Sequence, residues 1–119
     1  MKTILIVDDQ RGIRLLLEEL FKQDSYHTMI AVTGEEALQS IQQSVPDCIL
    51  LDLKMPKMDG LELLKILREQ NINIPIFIMT AYENIKQLEE VKKLGVIKAF
   101  IKPFDIFTVR EEVNALFLN

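Results

Sequence analysis

Four short apolar runs in this chain each stop at a polar residue able to handle phosphate or metal. Ile4-Leu5-Ile6-Val7 runs into Asp8 and Asp9, Cys48-Ile49-Leu50-Leu51 into Asp52, Ile76-Phe77-Ile78-Met79 into Thr80, and Ala99-Phe100-Ile101 into Lys102. Apolar runs of this length, bounded by turn signals, read as strands buried on both faces. In an open parallel sheet, ligands gather at the carboxyl ends of the strands. Three carboxylates, a hydroxyl and an ammonium are therefore expected at one edge of one sheet.

Periodicity places strands near residues 3–8, 27–32, 48–52, 75–80 and 97–102, and helices near 11–23, 34–44, 59–70, 83–94 and 105–118. Strand and helix alternating in this way is the pattern of βαβ crossovers, an α/β fold with a doubly wound parallel sheet. Boundary residues agree. Thr33 with Glu36 reads as a capping box, Asp59 and Asp105 as N-caps, and Gly95 as a helix stop. Gly60, directly after Asp59, fits a first helical turn less well. Pro46 and Pro75 each fall just before a strand. The mixed polarity of His27-Thr28-Met29-Ile30-Ala31-Val32 suits an edge strand.

The 119 residues, 49% of them apolar, form a single domain, 1–119, with no room for a second module. Starting at Met1 and ending on an amphipathic helix, the chain is expected to be complete. Net charge is −4 and the Lys and Arg residues are scattered, so no basic face is offered to nucleic acid. The longest apolar runs are too short for a signal-peptide core or a membrane span. A cytoplasmic, monomeric protein with no nucleic-acid or membrane partner is expected. Cys48, the sole cysteine, lies inside an apolar run and reads as a core residue. His27, the sole histidine, has no acid–base partner near it in sequence and reads as an edge-strand residue.

An octahedral Mg²⁺ needs only one or two carboxylates beside its waters. Asp8, Asp9 and Asp52 would repel one another without a cation, and a divalent ion relieves that repulsion. Lys102 and Thr80 would turn a metal site into a phosphoryl site, because phosphoryl transfer depends on positioning and on neutralising charge over the equatorial oxygens. Asp52 is then the nucleophile, giving an acyl phosphate. Singly, each residue has a plainer explanation: helix cap, turn former or solvated charge. Jointly they require four coincidences at one sheet edge.

These residues, together with Met55-Pro56-Lys57-Met58-Asp59-Gly60 and Lys102-Pro103-Phe104, resemble the receiver domain of bacterial two-component response regulators over essentially the whole chain. The resemblance implies a flavodoxin-like (βα)5 sheet of strand order 2-1-3-4-5. It implies that Asp52 accepts phosphate from a phosphohistidine and that Asp9, Asp52 and the Lys54 carbonyl bind Mg²⁺, with Asp8 helping through water. Lys102 would contact the phosphoryl group, Thr80 would move toward it, and Pro103 would follow a cis peptide bond. Val7-Asp8-Asp9-Gln10 with Gly12-Ile13-Arg14, Met79-Thr80-Ala81-Tyr82 and Lys102-Pro103-Phe104-Asp105-Ile106 are similar to stand-alone receivers of sporulation phosphorelays. That narrower likeness implies sensor histidine kinases, a histidine phosphotransferase and an aspartyl-phosphate phosphatase as partners. It also implies a docking surface of Gln10, Ile13, Leu16, Tyr82, Pro103, Phe104 and Ile106.

The first helix carries more apolar residues than a single buried stripe requires. At about 100° per residue, Ile13, Leu16, Leu17, Leu20 and Phe21 share an arc of about 140°, divided between core and docking surface. Ala99 departs from the receiver pattern, since many receivers carry an aromatic three residues before the lysine, where its rotamer couples to the Thr switch. Aromatic gating is therefore unavailable, which a relay protein tolerates better than a target-binding switch. Two other readings stand beside the relay: a single-domain switch of the chemotaxis type that does not pass phosphate on, and a Mg²⁺-dependent phosphatase. The latter is weakened by Lys54, which stands two residues after Asp52, where such hydrolases place a second acid. Nucleoside triphosphate chemistry lacks its glycine-rich loop.

Overall fold

The apolar runs do become strands, and each is followed by a helix. A computed structural model describes residues 1–118 and gives, in chain order, β1 Thr3–Val7, α1 Arg11–Gln23, β2 His27–Ala31, α2 Gly34–Gln43, β3 Cys48–Asp52, α3 Gly60–Glu69, β4 Ile76–Ala81, α4 Leu88–Lys93, β5 Lys98–Lys102 and α5 Ile106–Leu116. The strands form one parallel sheet in the order β2-β1-β3-β4-β5. Asn119 lies outside the described residues.

Successive side chains of a strand alternate between faces, so each strand feeds two cores. On one face Ile4, Ile6, Cys48, Leu50, Phe77, Met79 and Phe100 pack against Leu17, Leu20 and Phe21 of α1 and Val109 and Val113 of α5. On the other, Leu5, Val7, Ile49, Leu51, Ile76 and Ile78 pack against α2, α3 and α4. Two helices thus cover one face and three the other. Cys48 is fully buried, and burial pushes its thiol up to about 12, so it is an unreactive core residue. The second strand is an edge strand with Ile30 exposed, and His27 is exposed, paired with Thr3 at the amino end of the sheet.

The boundary residues act as their types demand. Thr33 accepts a hydrogen bond from the Glu36 amide, Asp59 from Glu62, and Asp105 from Phe107. Gly95 takes φ +79° just after α4. The fourth helix differs from the continuous 83–94 element expected. Tyr82–Gln87 winds as a 3-10 helix and only Leu88–Lys93 is α-helical. The anchoring pair Leu88 and Val91, buried three residues apart, begins at Leu88, and Gln87 gives no side-chain cap. No helix among the described residues is long and apolar enough to cross a membrane.

Candidate functional site

Asp8, Asp52 and Lys102 extend the alternation by one step each. Asp8 follows Ile4 and Ile6, Asp52 follows Cys48 and Leu50, and Lys102 follows Phe100, so all three share the α1/α5 face at the carboxyl end of the sheet. Asp8 is fully buried and Asp52 nearly so, at 4% exposure, while Asp9 is exposed. One oxygen from each of Asp8, Asp9 and Asp52 lies within 4.8 Å of the others.

Lys102 Nζ donates to Asp8 Oδ2 at 2.8 Å and to Gln10 Oε1 at 2.9 Å, and stands 3.6 Å from Asp52 Oδ1. Asp8 Oδ1 accepts from the Gln10 amide at 2.8 Å. The Lys54 amide stands 3.5 Å from Asp52 Oδ1, a long and weak contact. Burial, and next the negative charge of Asp8, raise the Asp52 carboxyl from 3.8 to about 6, against the opposing pull of Lys102. Three acids face one ammonium, an excess of negative charge in an all-oxygen donor set, which suits a hard divalent cation.

A cleft of about 270 Å³ opens on this cluster, lined by Asp9, Gln10, Asp52, Lys54, Ala81, Glu83, Asn84 and Lys102. Glu83 and Asn84 are additions to the expected set. Their one signal in the sequence was their place just after the fourth strand. Thr80 is positioned differently from the other residues. It follows Ile76 and Ile78, so it belongs to the α2/α3/α4 face, is fully buried, and donates its hydroxyl to the Ala81 carbonyl at 3.3 Å. Ala99, paired with Ile78, lies on that same face. The Lys102–Pro103 peptide is cis.

Beside the acidic cleft lies an apolar groove of about 470 Å³, lined by Gln10, Ile13, Leu16, Ala81, Lys102, Pro103, Phe104 and Ile106. Every expected docking residue but one lines it. The exception, Tyr82, is 73% exposed. Leu17, Leu20 and Phe21 go to the core, Ile13 packs partly against it, and Leu16 is exposed.

Comparison with known proteins accords with this geometry. The response regulator receiver domain family matches residues 4–114. Sporulation initiation phosphotransferase F of Bacillus subtilis is 47% identical over 111 residues, 93% of this chain and 90% of that protein. Regulatory protein AtoC of Escherichia coli is 37% identical over 95% of this chain, which spans only 24% of AtoC. Among solved structures, the receiver domain of the Francisella response regulator 1452 superposes with a TM-score of 0.90 at 36% identity, covering 98% of this chain and 96% of that one. Response regulator TrrA of Thermotoga maritima, in complex with Mg²⁺ and BeF, gives 0.86 at 32% identity, covering 98% and 100%. With Asp8, Asp9, Asp52 and Lys102 gathered at the carboxyl edge of a 2-1-3-4-5 sheet, the chain belongs to the response regulator receiver domain family.

Proposed function

We propose that this receiver is a phosphorelay intermediate. It takes a phosphoryl group from the phosphohistidine of a sensor kinase onto Asp52 and yields it to the histidine of a phosphotransferase, in a relay of the sporulation-initiation kind. The observation that carries the reading is Asp52 itself, a nearly buried carboxylate 3.6 Å from Lys102, opening into a cleft beside an apolar groove. The likeness to a sporulation phosphotransferase supports the choice of relay.

An Asp52 carboxylate oxygen attacks phosphorus and forms a P–O bond while the P–N bond to the imidazole breaks, its electron pair returning to nitrogen. Onward transfer reverses this: a second imidazole nitrogen attacks, and the P–O electron pair returns to Asp52. Asp9 and Asp52, with the Lys54 carbonyl and with Asp8 through water, would hold Mg²⁺, which supplies charge neutralisation at the phosphoryl oxygens. Lys102 contributes a second positive charge, 3.6 Å from Asp52 Oδ1. The pooled negative charge of the three acids is what resists an incoming phosphoryl group, and the ammonium offsets part of it.

The test is phosphotransfer with Mg²⁺ from a radiolabelled sporulation-type sensor kinase, followed by a histidine phosphotransferase, with Asp52→Asn in parallel. Label that reaches Asp52 and then leaves for the second histidine supports the relay. Label that stays or is hydrolysed makes the protein a terminal switch, and wild type that takes no label overturns the site.

A further inference from the structure

Gln10 occupies the N-cap position of α1, where a side-chain oxygen ordinarily accepts from the first helical amides. Here it makes no such bond. Its Oε1 instead accepts from Lys102 Nζ at 2.9 Å, and its own amide donates to Asp8 Oδ1, whose partner oxygen accepts from the same ammonium. Gln10, Asp8 and Lys102 thus close a ring. An ammonium has three hydrogens. Asp8 takes one and Gln10 a second, which leaves the third for the Asp52 side, 3.6 Å away.

We propose that Gln10 is a positioning residue for phosphoryl transfer: it forgoes capping α1 in order to fix the rotation of the Lys102 ammonium, so that one N–H is held toward Asp52. This rests on the phosphoryl-accepting role of Asp52 and adds to Gln10 a function that needs no protein partner. A glutamine that served docking alone would affect transfer only from a protein donor.

The test is Gln10→Ser in the full chain, with phosphoramidate as donor and Mg²⁺ present, so that no partner surface is involved. Serine is a good N-cap, so the variant is expected to melt no lower than wild type. Its phosphorylation is nonetheless expected to slow roughly tenfold to a hundredfold, the scale of one charge-assisted hydrogen bond. The same substitution added to Lys102→Met should cause no further loss, because the effect passes through the ammonium. Independently of label, the Lys102 ammonium protons, followed by ¹⁵N-resolved NMR, should exchange with water faster in Gln10→Ser. An unchanged rate, or an equal further loss on Lys102→Met, overturns the positioning role while leaving Asp52 as acceptor. Wild type that takes no more label than Asp52→Asn overturns the phosphoryl-accepting reading and the proposal with it.

Discussion

Gly60 lies against the backbone of Asp52 so closely that a Cβ built on it would come within 2.3 Å of the Asp52 carbonyl oxygen and 2.9 Å of Leu53 Cα. The Gly60 amide also donates to the Leu53 carbonyl at 2.9 Å, tying the start of α3 to the end of β3. Glycine in the first helical turn, unfavourable by propensity, is here the condition for seating the acidic strand end against the start of α3. Gly60→Ala is expected to destabilise the protein by about 3 kcal/mol through overpacking and to weaken Mg²⁺ binding by shifting Asp52. Gly12→Ala on α1, which meets nothing within 4 Å, should leave stability unchanged or raise it by up to about 1 kcal/mol. Chemical denaturation and calorimetric Mg²⁺ titration of the two variants separate close approach from helix propensity.

The Asp52 carboxyl, raised from 3.8 to about 6 by burial and then by Asp8, holds its proton more tightly in the folded than in the unfolded chain. In metal-free protein, stability from this group is therefore fully present below about pH 4 and is lost as pH rises through about 6. Asp52→Asn removes the buried charge. Without metal, the variant is expected to exceed wild type by about 1–2 kcal/mol at pH 7.5, after discounting for screening at the cleft mouth, with the difference vanishing near pH 4. Added Mg²⁺ should stabilise wild type more than the variant. Urea titrations in chelator across this pH range decide it: a constant difference would refute the assignment.

Thr80 turns its hydroxyl to the Ala81 carbonyl on the face opposite Lys102. Thr80→Val keeps the shape and removes one weak hydrogen bond. We expect it to slow phosphorylation by a small-molecule donor less than about fivefold, and Lys102→Met to slow it far more. Equal losses would mean that the Thr80 hydroxyl swings to the cleft during the reaction.

How Asp8, Asp52 and Lys102 meet was legible because each closes an apolar run, and strand ends collect at one sheet edge. The side taken by Thr80 was not, because β3 and β4 are buried on both faces and show no polar alternation to mark one face from the other. The proposed docking residues Ile13, Leu16, Phe104 and Ile106 came from family resemblance, since helical periodicity alone divides α1 only into buried and exposed arcs. The 3-10 winding of Tyr82–Gln87 placed Glu83 and Asn84 on the cleft rim, where a continuous helix had been expected. The reach of Arg68 to carbonyls 26 and 27 residues away has no sequence signature at all.

That arginine fastens the amino edge of the sheet. Its Nε donates to Leu94 O at 2.8 Å and its Nη1 to Ile72 O at 2.8 Å, with longer bonds to Ile74 and Gly95. The planar fork spans the ends of α3 and α4, a geometry that lysine cannot reproduce. Arg68→Lys is expected to destabilise by about 2–3 kcal/mol as carbonyls lose their donors, with faster hydrogen exchange at the last turn of α4 and little change at β1. Uniform acceleration of exchange would instead indicate a global effect.

The apolar groove meets the acidic cleft at three shared residues, Gln10, Ala81 and Lys102, so whatever covers the groove also borders Asp52. Its apolar walls come from α1 and from the segment Pro103–Ile106 that leads into α5, and the inner faces of both helices are already committed: α1 buries Leu17, Leu20 and Phe21, and α5 buries Val109 and Val113. Leu16 is therefore surplus to the core, at 46% exposure. A histidine-bearing helix seated on Ile13, Leu16, Phe104 and Ile106 would bring an imidazole to the cleft mouth. Leu16→Ala is expected to cost little stability, below about 1 kcal/mol, since less than a full side chain is buried. It should slow transfer from a phosphorylated histidine partner about tenfold, the loss typical of a central apolar contact, while phosphoramidate labels it at the wild-type rate. Parallel loss with both donors would show that Leu16 serves the site's architecture, and no loss with either would place the histidine helix elsewhere.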